Sequence, residues 1–422
     1  MATLKSLVHQ TILLMLWTLA RMSISKVSAK PLSANSVLVP ADPITFIGSR
    51  GDAAMLLAVI AKLRTANRIS QCYVATTNQN ADELAQSMGM RSFRVWGGPL
   101  MPLRFSRFLS GNRPTLGFVT GADIMDGHYS PVMSLRMIIA ADLLARWGAK
   151  TIFIGFSLNK NPSRLVRYAF RKLHHNVRVN LRDPLSWHRF ETLSERKGHL
   201  VADSAFLLEP ASELSKRAAT AASWMQQRRD AGRKVIILNL HPMLFPAGKV
   251  SAAMPKLMAS MLRAIAALTE KHGLSWLLLP HDNRPSSGDM TTLAALAEKI
   301  GASLRDQVFL VEEPPSAAEI KAIAKYADGA VTGRMHLAIA ALGQTTPVMA
   351  FAYQDKFAGL LQHFRMPEWL VLDAESATDP DYLIARIERF VTELPALRAE
   401  VEKHLPAVTA AANATFEGLF QQ

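Results

Sequence analysis

The feature that most restricts the fold is an alternation that occurs twice. Short apolar runs, each long enough for one strand, trade places with stretches of helical period. The first series predicts strands at Ile44 to Ile47, Gln71 to Ala75, Phe93 to Trp96, Thr115 to Val119 and Thr151 to Ile154. Helices are predicted from Gly51-Asp52 to about Arg64, over Ala81 to Met88, and over about Val132 to Trp147. After a break near Glu209-Pro210 and a helix over Ser212 to Arg229, the pattern restarts. Strands are predicted at Val235 to Leu240, Trp276 to Leu279, Val308 to Val311, Gly329 to Val331 and Pro347 to Phe351, with helices between them. Strands joined through helices rather than tight hairpins must run parallel, in a sheet covered on both faces.

A chain of 422 residues is too long for one simple core. The boundaries predicted are an apolar and basic leader over 1–40, a Rossmann-like domain over 41–208 and a second over 209–375. C-terminal helices follow over 376–422, with Pro395 and Pro406 as breaks. Two such α/β halves in succession suggest a ligand cleft between them.

Charge and cysteine content narrow the function classes. The single cysteine, Cys72, excludes an intrachain disulfide and a cysteine-cluster metal site. It lies in an apolar run and reads as a small core residue in a reducing compartment. The net charge of +14 is clustered. No acid lies between Glu83 and Asp123, against Arg91, Arg94, Arg104, Arg107 and Arg113. Lys160 to Lys197 holds ten Lys or Arg against Asp183, Glu191 and Glu195. Such a face serves an anionic substrate, an anionic lipid surface or plain solvation. Nucleic acid is set aside as a partner, because no helix-turn-helix, zinc finger or RNA-recognition signature accompanies the charge.

At the N-terminus, the apolar run Thr11 to Ala20 sits between Lys5 and Arg21. It is short of the roughly 20 residues of a spanning helix and lacks a small-x-small cleavage site. It reads as an interfacial helix or a disordered leader. The expected location is cytoplasmic, with peripheral contact at the inner face of the cell membrane.

The chemistry concentrates at strand ends. Gly329 to Val331 is a buried strand that Gly333 breaks, and Arg334 and His336 then stand where an apolar helix begins. A strand, a tight turn and a helix start present free N–H groups and a positive dipole to an anion. A fixed cation and an imidazole add phosphate binding and proton transfer. Two further strand ends carry histidines, Asn239-Leu-His241 and Leu279-Pro280-His281-Asp282. Lys356 opens the helix after the next strand, near Tyr353. In the first half, Gly51-Asp52 is a glycine turn into a helix, and Asp123 lies in a polar loop from Gly121 to Tyr129. Arg182-Asp183 with Ser186 reads as a helix start with an N-terminal acid. No second ligand cluster makes the Asp123 loop a metal site.

These residues carry a resemblance. The run from Thr332 through Gly333, Arg334, His336 and Leu342, then Pro347, Tyr353 and Lys356 to Gly359, resembles the C-terminal signature of the polysaccharide pyruvyltransferase family. The rest agrees in order over roughly Ile44 to Leu372, through Gly51-Asp52, the Gly121 to Tyr129 loop, Arg182-Asp183 with Ser186, Ala202-Asp203 and Pro280-His281-Asp282. One departure is the Gly-Gly loop usual after the third or fourth strand, which here reads Gly121-Ala122.

The resemblance implies a GT-B-like enzyme with its donor site in the second domain. It would move the pyruvyl unit of phosphoenolpyruvate onto a sugar of a cell-surface polysaccharide, free or lipid-linked, as a ketal. Phosphoenolpyruvate would be a co-substrate, and no cofactor or metal is implied. Arg334, with Lys356 or a first-domain arginine, would hold the anion. His336 would protonate the methylene carbon, and His281 would serve as base. Gly333, Tyr353, Asp52, Asp123 and Arg182 would line the substrates. Two alternatives stay open at this level, a GT-B glycosyltransferase using a nucleotide sugar and a non-catalytic glycan- or membrane-binding relative.

Overall fold

The computed structural model describes residues 2–24, 33–122, 125–128, 130–282, 288–352 and 355–420. The chain divides into two compact units. The first comprises Met1–Gly48, Met55–Ser204 and Ala410–Gln422, and the second Ser49–Ala54 and Ala205–Thr409.

In chain order the first part runs α1 (Ala2–Ile24), β1 (Ser36–Val39), α2 (Arg50–Thr65), β2 (Cys72–Thr76), α3 (Gln79–Ser87) and β3 (Arg91–Arg94). It continues with α4 (Met101–Asn112), β4 (Leu116–Ala122), α5 (Pro131–Arg146), β5 (Lys150–Phe156), α6 (Arg164–Lys172), β6 (Val177–Leu181), α7 (Pro184–Ser194) and β7 (His199–Leu200). Its sheet has the order β3-β2-β1-β4-β5-β6-β7, and every pairing is parallel. β1 is buried along its whole length and β5 at all but its first residue, as strands covered on both faces must be. Cys72 is fully buried in β2, and burial pushes its thiol up to about 12, so it packs as a small apolar residue.

The second part runs α8 (Lys216–Asp230), β8 (Lys234–Asn239), α9 (Val250–His272), β9 (Leu274–Leu278), α10 (Asp289–Glu298), β10 (Val308–Leu310) and α11 (Ala317–Ala324). β11 (Gly329–Thr332), α12 (Met335–Leu342), β12 (Val348–Ala352), α13 (Lys356–Gln362), β13 (Val371–Asp373) and α14 (Pro380–Asn413) complete it. The sheet order is β10-β9-β8-β11-β12-β13, again parallel throughout. Numbered from β8, that is 3-2-1-4-5-6, the doubly wound Rossmann order, and the first sheet has the same order with one strand added. The expected α/β class with two Rossmann-like units is what the chain adopts.

Of the two readings of the leader, an interfacial helix or a disordered segment, the structure has a helix over residues 2–24. α1 buries Leu13, Trp17, Ala20 and Ile24, one stripe of the helix, against the helices of the first unit. Trp17 Nε1 donates to Asp142 Oδ2 at 2.8 Å on α5, and this aromatic anchor ties the leader down. By length and composition alone, Leu7–Ile24 is apolar enough to cross a membrane, although part of it is buried.

The first strand is Ser36–Val39, not Ile44 to Ile47. There the Asp42 carboxylate accepts from Ile44 N at 2.9 Å and Thr45 Oγ1 at 2.8 Å, and this Asx turn outcompetes a strand. Pro395 and Pro406 sit inside α14 without ending it. Buried Leu394, Leu397, Val401 and Val408 give that helix a packed face that compensates for the lost N–H bonds.

Candidate active site

In the second sheet, β8 and β11 lie side by side, but the chain leaves them in opposite directions, β8 towards β9 and β11 towards β12. Such a switch point opens a crevice beyond the carboxyl ends of the strands. Thr332 pairs in register with Asn239, so Asn239-Leu240-His241 and Thr332-Gly333-Arg334 emerge together. Pro280-His281-Asp282, just beyond the end of β9, stands on the other side of β8.

A carboxylate organises these ends. Asp289, at the first position of α10, is fully buried. Its Oδ1 accepts from Arg334 Nε at 2.9 Å and Nη2 at 2.6 Å. Its Oδ2 accepts from Asn239 Nδ2 at 2.7 Å and from the backbone N–H groups of His281 at 2.8 Å and Asp282 at 3.1 Å. One side chain therefore fixes β8, the turn after β9 and the turn after β11. Asp282 Oδ2 lies 3.4 Å from Arg334 Nη1, so the guanidinium is balanced by two acids in a buried setting. Its Nε and Nη2 are both committed to Asp289.

Three histidines surround this pair. His241 is fully buried, and its Nε2 lies 3.0 Å from Gly333 O. A carbonyl only accepts, so Nε2 carries the proton. Burial, then the positive charge of Arg334, holds the imidazole well below the ordinary histidine range. The backbone approaches this ring so closely that a Cβ on Gly333 would come within 2.7 Å of Nε2. His281 is also buried, and burial first, then the charges of His336 and Arg334, lowers it strongly. It is a neutral base at physiological pH. His336, in the first turn of α12, lies across Gly51, where a Cβ would sit 2.1 Å from its Nδ1.

Arg50, His281, Lys321 and His336 face one small cavity with apolar walls from Ala317, Ile320 and Ile339. Arg50 Nη2 donates to Pro314 O at 2.9 Å, while its buried Nε makes no hydrogen bond. Lys321 Nζ donates to Phe206 O at 2.7 Å and Leu208 O at 2.6 Å, and burial lowers it to about 8. Lys356 is buried at the start of α13, and its charge contributes to the depression of His241. The ensemble is a cationic, largely dehydrated pocket edge with a neutral imidazole, a setting suited to moving a proton. Among the described residues, no group of three His, Cys, Asp or Glu is placed to hold a metal ion.

Of the residues singled out in the sequence, His281, Gly333, Arg334, His336 and Lys356 all fall in the second unit around this switch point. Asp52 belongs to Ser49–Ala54 of the same unit, and its Oδ2 accepts from Ser49 N and Oγ at 3.1 Å, capping α2. Arg182 lies in the first unit, buried, donating from Nη1 to Asp203 Oδ2 at 2.9 Å and from Nε to Ser157 Oγ at 2.8 Å. The adjacent Asp183 caps α7 through Ser186 N at 2.7 Å. Asp123 and Tyr353 lie outside the described residues. Asp289, Arg50 and Lys321 were not singled out. Asp289 follows the end of β9 by more than ten residues, so no local spacing marks it. Arg50 sits inside the glycine turn, where Gly51 and the capping Asp52 already account for the local pattern.

The fold resembles solved structures of sugar-nucleotide enzymes. An S. aureus MnaA–UDP co-structure matches with a TM-score of 0.59 at 12% identity, over 90% of this chain and 94% of that one. A UDP-GlcNAc 2-epimerase from Neisseria meningitidis bound to UDP-GlcNAc matches with a TM-score of 0.58 at 13% identity, over 92% and 100%. An α,α-trehalose-phosphate synthase (UDP-forming) from Burkholderia vietnamiensis matches with a TM-score of 0.52 at 12% identity, over 93% and 99%. At these identities the likeness shows the fold, the GT-B arrangement of two Rossmann-like units in one chain, and nothing of the chemistry. No curated protein matches by sequence. The family model described as polysaccharide pyruvyl transferase matches residues 50–355, from Arg50 in the glycine turn to the residue before Lys356. With most of its length matched, and with the strand-end histidines and Arg334 inside the match, the chain belongs to the polysaccharide pyruvyl transferase family.

Proposed function

We propose that this protein transfers the pyruvyl unit of phosphoenolpyruvate to two hydroxyls of a polysaccharide sugar, forming a ketal and releasing phosphate. The observation that carries the reading is the convergence of His281, His336 and Arg50 on one cavity, with the Arg334–Asp289 pair fixing the strand ends that carry the two histidines. The donor carries a phosphate and a carboxylate, and Arg50 and Lys356 supply cations for them. His336 gives a proton to the methylene carbon, leaving a cationic centre at the adjacent carbon. A sugar hydroxyl adds there, the phosphate oxygen leaves, and a second hydroxyl closes the ketal. Of the two hydroxyl protons, one ends on the methyl group and the other on phosphate, and neutral His281 is the base that takes them up in passing. Arg334 acts through position, holding the strand ends by way of Asp289. This route needs no metal or organic cofactor.

A second reading, transfer from a nucleotide sugar, is favoured by the UDP and UDP-GlcNAc named with two of the similar structures. One assay separates them. The protein is incubated with phosphoenolpyruvate, or with UDP-sugars, and a panel of lipid-linked and free oligosaccharides. Inorganic phosphate together with a ketal on the acceptor supports pyruvyl transfer. Release of a nucleoside diphosphate without either product selects the second reading. His336→Ala is expected to abolish product while leaving the melting temperature within a few degrees. Near wild-type turnover in that variant removes His336 from the chemistry.

A further inference from the structure

We propose that the first unit docks on an anionic membrane surface through the outward face of α1, with the basic outer faces of α4 and α6 as its rim. Leu7, Val8, Met15, Leu19 and Met22 are each 52–61% exposed. They lie on the side of α1 opposite Leu13, Trp17, Ala20 and Ile24, which are buried. Large apolar side chains this exposed are concentrated here. Of the ten in the described residues, five are on α1, and Leu100 and Leu103 are at the start of α4, which packs beside α1. Tyr168 is on α6. A contiguous apolar patch with a polar rim marks a contact surface.

The polar atoms of the patch need no water. Thr11 Oγ1 donates to Leu7 O and Thr18 Oγ1 to Leu14 O, each at 3.0 Å, and Ser23 Oγ donates to Ala20 O at 2.8 Å. Arg21, within this stretch, is turned inward, with Nε 3.7 Å from the buried Asp142 carboxylate and its guanidinium 5.0 Å from the Trp17 ring. From Leu7 to Ile24 the outward face therefore presents no charge, although the stretch contains Arg21.

The rim identifies the occupant. Arg104 and Arg107 are exposed on α4, and Arg164 and Lys172 on α6, where Arg171 is paired with Glu195 at 2.9 Å; neither helix itself contains an acid. An apolar stripe flanked by like positive charge fits the acyl and headgroup layers of an anionic leaflet. The same rim disfavours a second copy of the chain, because a two-fold interface would set arginines against arginines. A spanning role for α1 would withdraw Trp17 from Asp142 and leave a buried carboxylate short of a donor.

The test uses the full chain and no substrate, so its outcome is separate from that of the pyruvyl-transfer reading. Co-sedimentation is measured with phosphatidylcholine vesicles, with and without phosphatidylglycerol, at low and high salt. The chain is expected to sediment with the mixed vesicles and to be released by salt. Met15→Glu with Leu19→Glu is expected to lower partitioning at least tenfold with the melting temperature unchanged, since both side chains are exposed. Arg104→Gln with Arg107→Gln is expected to lower it roughly 25-fold on the anionic vesicles alone, at about fivefold per arginine near the surface. No sedimentation with anionic vesicles, or undiminished binding by the α1 variant, overturns the proposal. So does a dimer in sedimentation velocity that the α1 variant breaks apart.

Discussion

Gly51 occupies the first turn of α2, where its backbone needs no special freedom, yet a single methyl there would meet His336 Nδ1 at 2.1 Å. Gly51→Ala is therefore expected to split two properties that most substitutions change together. Alanine in a helix stabilises by up to about 1 kcal/mol relative to glycine, while the displaced imidazole costs about 100-fold or more in kcat. Thermal melting and phosphate release on the same preparation check it, and unchanged kcat would show that the ring has another place to go. Asp289 behaves in the opposite way. It accepts five hydrogen bonds, and Asp289→Ala leaves Arg334 buried without its main counter-charge, at an expected cost of about 3–5 kcal/mol in denaturant unfolding. His281, Arg334 and His336 were legible in the sequence because each directly follows an apolar strand run. Asp289 was not, because its link to the site is made by the sheet and not by neighbouring residues. Arg334 is legible as a cation of the site, but its orientation towards Asp289 is set by a residue 45 positions away.

At the scale of elements, strands buried on both faces were the most legible. The predicted runs at Gln71 to Ala75, Val235 to Leu240 and Val308 to Val311 overlap β2, β8 and β10. The short edge strand β7 and the strand β6, which reads Val-Arg-Val-Asn-Leu, were missed because polar residues interrupt their apolar run. α4 and α6 were missed for a related reason, whereas the start of α7 was legible in Asp183 and Ser186. α4 and α6 are basic or mixed, and their helicity depends on caps such as Ser163 on α6, together with packing of one narrow face. α1 shows the same dependence. Its anchor is a single aromatic side chain, so Trp17→Ala is expected to cost about 3–5 kcal/mol of local stability and to release the helix. Limited proteolysis should then cut within residues 2–24 while the rest stays intact, and resistance equal to wild type would mean that Leu13, Ala20 and Ile24 suffice.

For the whole molecule, the doubled alternation foretold two parallel sheets, and both strand orders follow the same winding. Stability should carry the mark of the second sheet's site. His241 and His281 are both held well below the ordinary value of 6.5, so the unfolded chain binds protons there that the folded chain does not. Their contribution is intact above pH 6.5 and is lost as the pH falls through and below it. Each adds a slope of about 1.4 kcal/mol per pH unit. Denaturant midpoints from about pH 7.5 down to 5 should fall accordingly. His241→Asn should flatten the slope by one proton, and an equal slope in that variant would place the titration elsewhere.

The assignment of Ser49–Ala54 to the second unit has a consequence for how such a chain can be rearranged. Six residues embedded in the first half of the sequence carry Arg50 and Gly51, which meet His281 and His336 from the second half. A fragment starting at Ala205 would hold the histidines but neither the cation nor the glycine that accommodates the ring. A chimera that exchanged second halves between relatives at that boundary would join one parent's turn to the other parent's imidazoles. Recombination at a single crossover therefore separates residues that must be inherited together. Only a double exchange that carries the glycine turn along with the second half preserves the pairing.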